Sequence, residues 1–374
     1  NRCNSFINKR IKFIMAYTGI NKSSEHFNTK LYTGNGSAGH AITGVGFQPD
    51  FTWIKSRVAT HNHLLQDSVR GLTKYIYSNL TTSEGTINNG ITAVGTDGFT
   101  IGDNGSFNSN TDNYASWNWK ANGAGSSNTD GNNITSTVSV NTTAGFSIVK
   151  YTGTGSASDT IGHGLGVKPS MVIMRPLGYS GAWWIAHKNL STDNVLEFNT
   201  NAQAAISSFG GGGLKYSTFT TSVIGGGNGS SDSGLWNGSG QDYIAYCFAE
   251  KTGYSKFGRF TANGNADNVF VYCGFKPAFV MMKCDDTTDG WSKWYMFDTA
   301  RSPENMNVKE LEANSTAVES GNGADYAQID MLSNGFKLRN GSAWGPASSG
   351  KKNIYMAFAE APLVGSNNVP ATAR

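Results

Sequence analysis

Four tryptophans are the residues of this sequence best suited to bind a ligand. Trp183 and Trp184 are adjacent, Trp291 and Trp294 lie close together, and each pair follows an apolar run past a loop. Aromatic faces stack on sugar rings and anchor protein interfaces. The alternative is that one tryptophan of each pair belongs to the core and the other is its neighbour. We take all four as a candidate glycan or partner platform.

Two Asp-x-x-Arg elements, Asp67–Arg70 and Asp298–Arg301, are the next candidates. They could pair a catalytic acid with an anion-binding arginine. A repeated ion pair that locks a turn is the better interpretation, because it explains why the element occurs twice. Glu250 and Glu360 also correspond to each other, but a glycosidase needs two carboxylates across one cleft. We therefore predict no catalytic residue and no enzyme.

Metal and cofactor patterns are weak. His61 and His63 could form a metal pair on one strand, but nothing nearby completes the site, so an exposed loop is the better interpretation. Asp285, Asp286 and Asp289 are the densest acidic patch, and without an EF-hand pattern a structural calcium there stays open. We expect no cofactor and assign no metal ligand.

Glycine-rich and cysteine-containing stretches also lack a chemical signature. The Gly210–Gly213 run is not followed by Lys-Ser/Thr, so it predicts a loop rather than a phosphate site. No cysteines form a CxxC pair, and Cys247 and Cys273 fall in predicted strands. We expect these two to be small buried hydrophobes, with a bridge between them left open.

The composition favours short strands. Glycine numbers 47 of 374 residues, aromatic residues make up 12% and charged residues only 15%. Glycine, asparagine and serine tolerate turns, whereas aromatic and β-branched residues suit pleated surfaces. The net charge of +3 comes from scattered basic residues, so we expect no nucleic-acid partner. No apolar run approaches the ~18 residues of a membrane span, so no membrane insertion is expected.

Three stretches of the chain share the same motifs in the same order. Each opens with an aromatic residue and a glycine-containing turn, continues with Gly-x-x-Pro before an apolar strand, and closes with an aromatic strand. The openings are Tyr32–Gly36, Tyr151–Gly155 and Phe260–Gly264, the apolar strands Phe51–Lys55, Met171–Arg175 and Phe279–Lys283, and the closings Tyr114–Trp119, Tyr243–Glu250 and Ile354–Glu360. The shared order indicates a triplicated unit.

These repeats predict an all-β fold of three tandem β-sandwich units of the jelly-roll or concanavalin-like kind. The chain is long enough for each unit to bury its own core. The expected divisions are an N-terminal segment 1–26, units 27–125, 144–251 and 252–364, a Gly/Ser/Asn/Thr-rich linker 126–143 and a tail 365–374. A short helix is expected from Ser302-Pro303-Glu304, with serine as its cap.

We expect no secretory signal in the N-terminal segment. Residues 1–14 are basic and lack an uninterrupted apolar core, and Met15 begins a stretch that reads like a natural protein start. The expectation is that Met15 is the initiator and that residues 1–14 are upstream read-through.

From about Met15 to the C-terminus, the chain resembles a family of repeat proteins of marine tailed phages, lectin-like and of unknown function. The motifs that carry the resemblance are Tyr32–Gly36, Gly46–Phe51, Asp67–Arg70, Ser116–Lys120, Asp242–Lys251 and Asn368–Arg374. The second repeat departs most, since it lacks the Asp-x-x-Arg element. The resemblance supplies no catalytic or binding residues.

The resemblance implies a non-enzymatic virion structural protein, such as a tail fibre, an appendage or a capsid decoration, made in the host cytoplasm and placed on the virion exterior. The expected partners are other virion proteins, further copies of the chain (a trimer among them) and a host-surface glycan used for attachment. The alternatives are a carbohydrate-binding lectin module and a glycan depolymerase.

Overall fold

The protein is all-β and is built from several antiparallel sheets. The computed structural model describes residues 18–191, 193–202, 205–206, 214–226, 234–288, 290–321, 328–339, 341 and 345–364. The expectations for residues 1–14, Met15, Gly210–Gly213, Asp289 and the tail 365–374 lie outside the described residues. None of the helices in the described ranges is long and apolar enough to cross a membrane.

The strands of the first repeat are β1 (Phe27–Thr33), β2 (His40–Thr43), β3 (Phe51–Ser56), β4 (Leu64–Asp67), β5 (Lys74–Tyr77), β6 (Gly85–Thr86), β7 (Ile91–Gly95), β8 (Gly98–Ile101) and β9 (Asn113–Trp119). Strands β10 (Ser126–Asn128) and β11 (Ser136–Asn141) follow. The second repeat contains β12 (Phe146–Thr152), β13 (Thr160–Gly162), β14 (Met171–Pro176), β15 (Trp184–His187), β16 (Asn194–Glu197), β17 (Ala205–Ile206), β18 (Val223–Gly225) and β19 (Asp242–Phe248).

The third repeat contains β20 (Ser255–Thr261), β21 (Phe270–Tyr272), β22 (Phe275–Cys284), β23 (Tyr295–Asp298), β24 (Leu311–Glu312), β25 (Ile329–Leu332), β26 (Gly335–Leu338) and β27 (Lys352–Pro362). Helical structure in the described residues is limited to α1 (Gly105–Asn108), α2 (Gly234–Asn237) and 3-10 turns at Ser23–Glu25, Tyr216–Thr218 and Gly345–Ala347.

Each repeat contributes one large sheet and one small sheet. The large sheets have the strand orders β1-β9-β3-β4-β5-β6, β10-β11-β12-β19-β14-β15-β16-β17 and β20-β27-β22-β23-β24. The small sheets are β2-β8-β7, β13-β18 and β21-β26-β25. In every large sheet the closing strand of the repeat lies between its first strand and the strand that follows the Gly-x-x-Pro motif. The three sequence repeats therefore have the same strand arrangement.

Alternate side chains of the large sheets enter two different cores. On β19, Tyr243 and Ala245 pack with the small sheet of the second repeat, whereas Ile244, Tyr246 and Phe248 face a central cluster. This alternation follows the period-two geometry of a strand. The central cluster also takes residues from the other two large sheets, among them Trp117, Trp119, Phe279 and Phe358. The repeats thus share one core instead of each closing its own on both faces.

Trp119 lies among aromatic rings of all three repeats. Its ring centroid is 5.2 Å from that of Phe51, 6.5 Å from that of Phe146 and 5.7 Å from that of Phe358. Six aromatic residues surround it: Phe27, Phe51, Phe146, Phe248, Phe279 and Phe358. Large aromatic side chains contribute most to core energetics, so this contact joins the repeats strongly.

The glycine turns that define the repeat have the geometry expected of them. Gly36, Gly155 and Gly264 have φ values of 68°, 86° and 75°, which L-residues with side chains rarely adopt. A Cβ on Gly34 would lie 2.1 Å from the carbonyl oxygen of Ser109, so the close chain crossing there also requires glycine. These turns therefore need glycine at the positions named.

Three expectations about local structure need correction. Residues 126–143, predicted as a linker, contain β10 and β11, because Val138 alternates with exposed Thr137 and is buried against the second repeat. Residues 302–304 form no helix; the side chain of Asn307 instead donates hydrogen bonds to the carbonyls of Asp298 and Ser302. Pro277 lies within β22 rather than before it, at a register shift that tolerates its missing N–H.

The cysteines in the described residues are free thiols. Cys247, Cys273 and Cys284 are all buried, so the bridge left open between the first two is absent. Burial raises the pKa of each of these thiols to about 12. They behave as small apolar residues of the core.

Candidate functional site

Three of the four candidate tryptophans are buried. Trp183, Trp184 and Trp294 are 0%, 7% and 1% exposed, whereas Trp291 is 36% exposed. Trp183 and Trp294 directly precede the equivalent strands β15 and β23 and both belong to the central cluster. Their rings have no face for a ligand, so the core alternative describes them, and only Trp291 keeps an accessible surface.

Trp183 and Trp294 instead join neighbouring repeats. Trp183 Nε1 donates to the carbonyl oxygen of Tyr77 at 2.8 Å, and Trp294 Nε1 donates to that of Glu197 at 3.2 Å. The second repeat thus contacts the first, and the third contacts the second, through equivalent groups. Both acceptors are the last residues of equivalent strands, β5 and β16.

His63 directly precedes β4, so in the first repeat it occupies the position that Trp183 and Trp294 have in the other two. It makes the contact between the first repeat and the third. Its Nδ1 accepts a hydrogen bond from Trp53 Nε1 at 2.8 Å. Burial, followed by the charge of Lys55, lowers the pKa of His63 well below its usual value, while the carbonyl of Glu312 acts in the opposite direction. His63 thus lies against β24 of the third repeat. These contacts close a ring in which each repeat touches both others.

The Asp-x-x-Arg elements are buried turn locks. Asp67 Oδ1 accepts from the main-chain N–H of Arg70 at 2.9 Å, and its Oδ2 is 2.5 Å from Arg70 Nε. Asp298 and Arg301 make the same contacts at 2.8 and 2.6 Å. Each carboxylate also accepts one hydrogen bond from another repeat. The donors are Tyr246 OH to Asp67 at 2.8 Å and Trp117 Nε1 to Asp298 at 3.1 Å.

The second repeat replaces this lock with neutral residues. His187 has the register position of Asp67 and Asp298, since it pairs with Met171 as they pair with Phe51 and Phe279. Leu190 stands where the other repeats have arginine and packs against the central cluster. Burial, followed by the charge of Lys188, lowers the pKa of His187 to about 3, so the ring is neutral near pH 7. An uncharged lock avoids the cost of desolvating an ion pair.

The other candidate residues are held in ordinary ion pairs. Glu250 contacts Lys188 at 2.5 Å and Lys256 at 2.7 Å, and Glu360 contacts Lys276 at 2.8 Å. Asp285, from the predicted acidic patch, is 2.6 Å from Arg259. Across the described ranges, no group of three or more His, Cys, Asp or Glu side chains could hold a metal ion.

The accessible Trp291 borders a small cleft in the third repeat. The cleft has a volume of about 140 Å³ and is lined by Trp291, Lys293, Tyr295, Glu310, Glu312, Ala317, Val318 and Ser320. We call this set the Trp291 cleft. Glu310 and Glu312 are two positions apart, with Leu311 between them buried in the central cluster. Because side chains alternate along a strand, both glutamates project to the side opposite Leu311.

Ser320 reaches the cleft through an isolated bridge with Glu310. On the other side, Lys293 Nζ is 2.5 Å from Glu312 Oε1 and 5.8 Å from the centroid of the Trp291 ring. Tyr295 OH donates to the carbonyl oxygen of Trp291 at 2.7 Å and holds the loop in place. Within the described residues, the buried atoms Glu312 Oε2 and Ser320 Oγ have no hydrogen-bond partner.

Sequence reasoning found Trp291 but missed the carboxylates that face it. The Glu310-Leu311-Glu312 alternation signals a half-buried strand with two acidic side chains on one face. It does not reveal which loop covers that face, because Trp291 is brought there by the pairing of β23 with β24.

Comparison with known proteins gives one match. A family model described as Domain of unknown function (DUF7483) matches residues 22–362. No curated protein matches, and no solved structure matches.

Proposed function

Because the chain belongs to the family described as Domain of unknown function (DUF7483), which supplies no activity, we propose from its own geometry that it is a non-enzymatic virion structural protein for host-surface attachment. The observation that carries this proposal is the ring of contacts that unites three repeats around one core. Such a body holds three outer surfaces in constant relative positions, and several weak contacts made together act through effective concentration.

We also propose that each repeat is a β-sandwich of the jelly-roll or concanavalin-like kind. In each repeat one buried cluster combines a face of the large sheet with the small sheet. Representative pairs are Ile54 with Phe99 in the first repeat, Val172 with Ile224 in the second and Val280 with Phe336 in the third. Packing of two sheets over a shared apolar layer is the defining feature of a sandwich.

The phage assignment rests on the motifs of the repeats. The Asp-x-x-Arg locks, the glycine turns and the closing strands are the elements that resemble repeat proteins of marine tailed phages. In this fold the locks and the closing strands contact neighbouring repeats. The protein would lie on the virion exterior, as part of a tail fibre, an appendage or a capsid decoration. Its partners would be other virion proteins, further copies of this chain and a host-surface glycan.

Antibody labelling of purified virions under the electron microscope tests the proposal. Label at tail or fibre tips supports attachment to the host, and label spread over the head supports decoration. Absence of label from particles would overturn the virion assignment. Release of reducing sugar from host polysaccharide by the purified protein would overturn the non-enzymatic assignment and favour a depolymerase.

A further inference from the structure

Two exposed aromatic side chains lie next to each other on the small sheet of the third repeat. Phe270 and Tyr272 belong to β21 and are 44% and 55% exposed. Val271, which stands between them, is buried in the cluster beneath the sheet. Because side chains alternate along a strand, both rings project from the outer face of the sheet, about 7 Å apart at their Cα atoms. We call the surface formed by these two rings the β21 face.

The fold does not require aromatic side chains at these positions. In the first repeat, Thr43 of β2 pairs with the glycine of the Asp-Gly-Phe sequence, as Tyr272 pairs with Gly335. Ala41, two positions before Thr43, therefore has the position of Phe270. The first repeat forms the same small sheet with these short side chains, so the aromatic rings are not needed for the sheet itself.

In the second repeat the chain itself covers the equivalent surface. Thr160 and Gly162 flank the buried Ile161 of β13. Thr160 Oγ1 accepts a hydrogen bond from the main-chain N–H of Asn132 at 3.1 Å, and a Cβ on Gly162 would collide with the side-chain oxygen of Asn128. The covering segment is thus polar. Of the three repeats, the third presents large aromatic rings to solvent at this place.

Phe270 also has a structural role, which Tyr272 does not share. The ring of Phe270 lies against Gly335, since a Cβ placed on this glycine would be 3.1 Å from Phe270 Cε2. An aromatic ring over a glycine stabilises a sheet. Tyr272 pairs directly with Gly335 but keeps more than half of its surface in solvent. The β21 face therefore combines a ring held against the sheet with a second, more exposed ring beside it.

Ion pairs border the two rings. Lys337 on β26 pairs with Phe270, and its Nζ is 2.5 Å from Asp267 Oδ1. Arg339, two positions further along, contacts Asp267 at 3.3 Å and Asp330 at 3.4 Å. The side chains of Asp267 and Arg339 are 77% and 36% exposed, so a ligand on the rings can reach them. The two cations and two carboxylates balance each other in charge.

These neighbours favour a neutral sugar as the ligand. An aromatic ring offers a flat apolar surface to the apolar face of a pyranose ring. The carboxylates accept hydrogen bonds from sugar hydroxyl groups, and the guanidinium donates to them. Because the charges balance, an acidic sugar gains no advantage over a neutral one.

The exposed aromatic area is small for a protein partner. An aromatic side chain offers about 150–250 Å², so two rings that are 44% and 55% exposed present roughly 200 Å². A standard protein complex covers about 800 Å² on each partner. The β21 face is therefore better suited to a short stretch of a polysaccharide than to a second protein.

We propose that the β21 face binds consecutive uncharged sugar residues of a surface polysaccharide. Phe270 and Tyr272 stack on adjacent sugar rings, and Asp267 and Arg339 bond to the hydroxyl groups of those rings. This inference rests on the proposed attachment function and gives it a site and a ligand class. It assigns the contact to the third repeat alone, because the equivalent surface is small-chained in the first repeat and covered in the second.

Affinity gel electrophoresis of the full chain tests the inference. The gels contain neutral polysaccharides (dextran, galactomannan or laminarin), with alginate as the acidic comparison. The wild-type protein should be retarded by at least one neutral polysaccharide and not by alginate. Tyr272→Thr should raise the dissociation constant by about tenfold or more, which corresponds to about 1.4 kcal/mol. This variant keeps Phe270 over Gly335, so it should melt at the wild-type temperature.

A double variant and a matched control complete the set. Phe270→Ala with Tyr272→Thr copies Ala41 and Thr43 of the first repeat, so it should stay folded and lose retardation. Thr43→Ala changes the residue at the position of Tyr272 in the first repeat, where it is exposed, and should bind like the wild type. No retardation of the wild type by any neutral polysaccharide, stronger retardation by alginate, or wild-type binding by the double variant would overturn the inference.

Two further measurements separate the inference from its rivals. Sedimentation velocity that shows self-association abolished by Tyr272→Thr, without sugar binding, would assign the β21 face to a second copy of the chain and overturn the inference. Virion labelling has an independent readout. Label on particles without sugar binding removes only this inference, whereas sugar binding without label removes only the virion assignment.

Discussion

Trp117 Nε1 donates a hydrogen bond to Asp298 Oδ2 at 3.1 Å, although 181 positions separate the two residues in the chain. Asp298 is also paired with Arg301 at 2.6 Å, and neither side chain is exposed. One carboxylate therefore closes its own turn and fastens the third repeat to the first. The same double role belongs to Asp67, which accepts from Tyr246 of the second repeat.

Removal of the Asp298 carboxylate should destabilise the whole protein. In Asp298→Ala, buried Arg301 loses its closest carboxylate and keeps the longer contact with Glu319 at 3.3 Å and a hydrogen bond to the Met296 carbonyl at 2.8 Å. A broken buried ion pair costs about 3–5 kcal/mol. Urea unfolding followed by tryptophan fluorescence should show that loss. The double variant Asp298→His with Arg301→Leu copies His187 and Leu190 of the second repeat and should lose much less. Equal losses in the two variants would contradict the turn-lock interpretation.

Truncation of Trp119 should weaken all three repeats together. Trp119→Ala removes a ring that contacts aromatic side chains of every repeat, and a large-to-small change of this kind costs about 3–5 kcal/mol. Because the core is shared, thermal unfolding should remain one transition, moved to lower temperature, by near- and far-ultraviolet circular dichroism. Two separated transitions would show that the repeats unfold independently.

The second repeat should not fold when expressed alone. Residues 126–251, which include β10 and β11 of the same sheet, would expose Ile148, Ile173, Tyr246 and Phe248, which face the central cluster in the whole chain. Circular dichroism and limited proteolysis of this fragment should show a protease-sensitive chain without a cooperative transition. A stable fragment with a sharp melting curve would contradict the shared-core account.

Mild acid should destabilise the protein through buried histidines. Burial lowers the pKa of His163 to about 4 and that of His187 to about 3, and it also lowers that of His63. The unfolded chain, with pKa values near 6.5, then binds more protons than the folded chain below that pH. The stability contribution is complete above pH 6.5 and is lost as the pH falls, with a slope approaching three protons, or about 4 kcal/mol per pH unit.

The pH range from 6.5 to 5 separates these histidines from most carboxylates. Unfolding free energies from urea titrations in this range should fall with decreasing pH. In His187→Gln the slope should decrease by about one proton. A stability that does not change between pH 6.5 and 5 would show that the histidines are accessible to protons in the folded state.

The buried thiols should be inert in the native protein. Cys247, Cys273 and Cys284 have pKa values raised to about 12 by burial, so little thiolate forms at pH 8. Iodoacetamide should leave all three unmodified until urea unfolds the chain, as measured by peptide mass spectrometry. Modification of any of the three before unfolding would place that thiol at the surface.

The strands were largely predictable because their signals are local. The apolar runs Phe51–Lys55 and Met171–Arg175 became β3 and β14 almost without change of bounds, and the closing runs became β9, β19 and β27. The strands β10 and β11 were missed because serine, threonine and asparagine dominate that stretch, and only Val138 and Val140 reveal its buried face.

The shared core was not predictable, since both faces of each large sheet are apolar and the sequence does not state which partner covers each face. The prediction of the cleft was limited in the same way. Trp291 was identifiable from its type, but its relation to Ser320 depends on a bridge between Glu310 and Ser320 that no local pattern encodes. Residues that meet through long-range pairing carry no signal in their immediate neighbours.

The three repeats form a ring within one polypeptide, so they can share one arrangement without having the same sequence. A homotrimer of one repeat would carry any surface feature three times or not at all. Here each repeat can change alone, as the neutral lock at His187 and the open cleft at Trp291 illustrate. Closure of the ring is also intramolecular, so it does not depend on protein concentration. A single gene can thus vary one surface while the other two preserve the assembly.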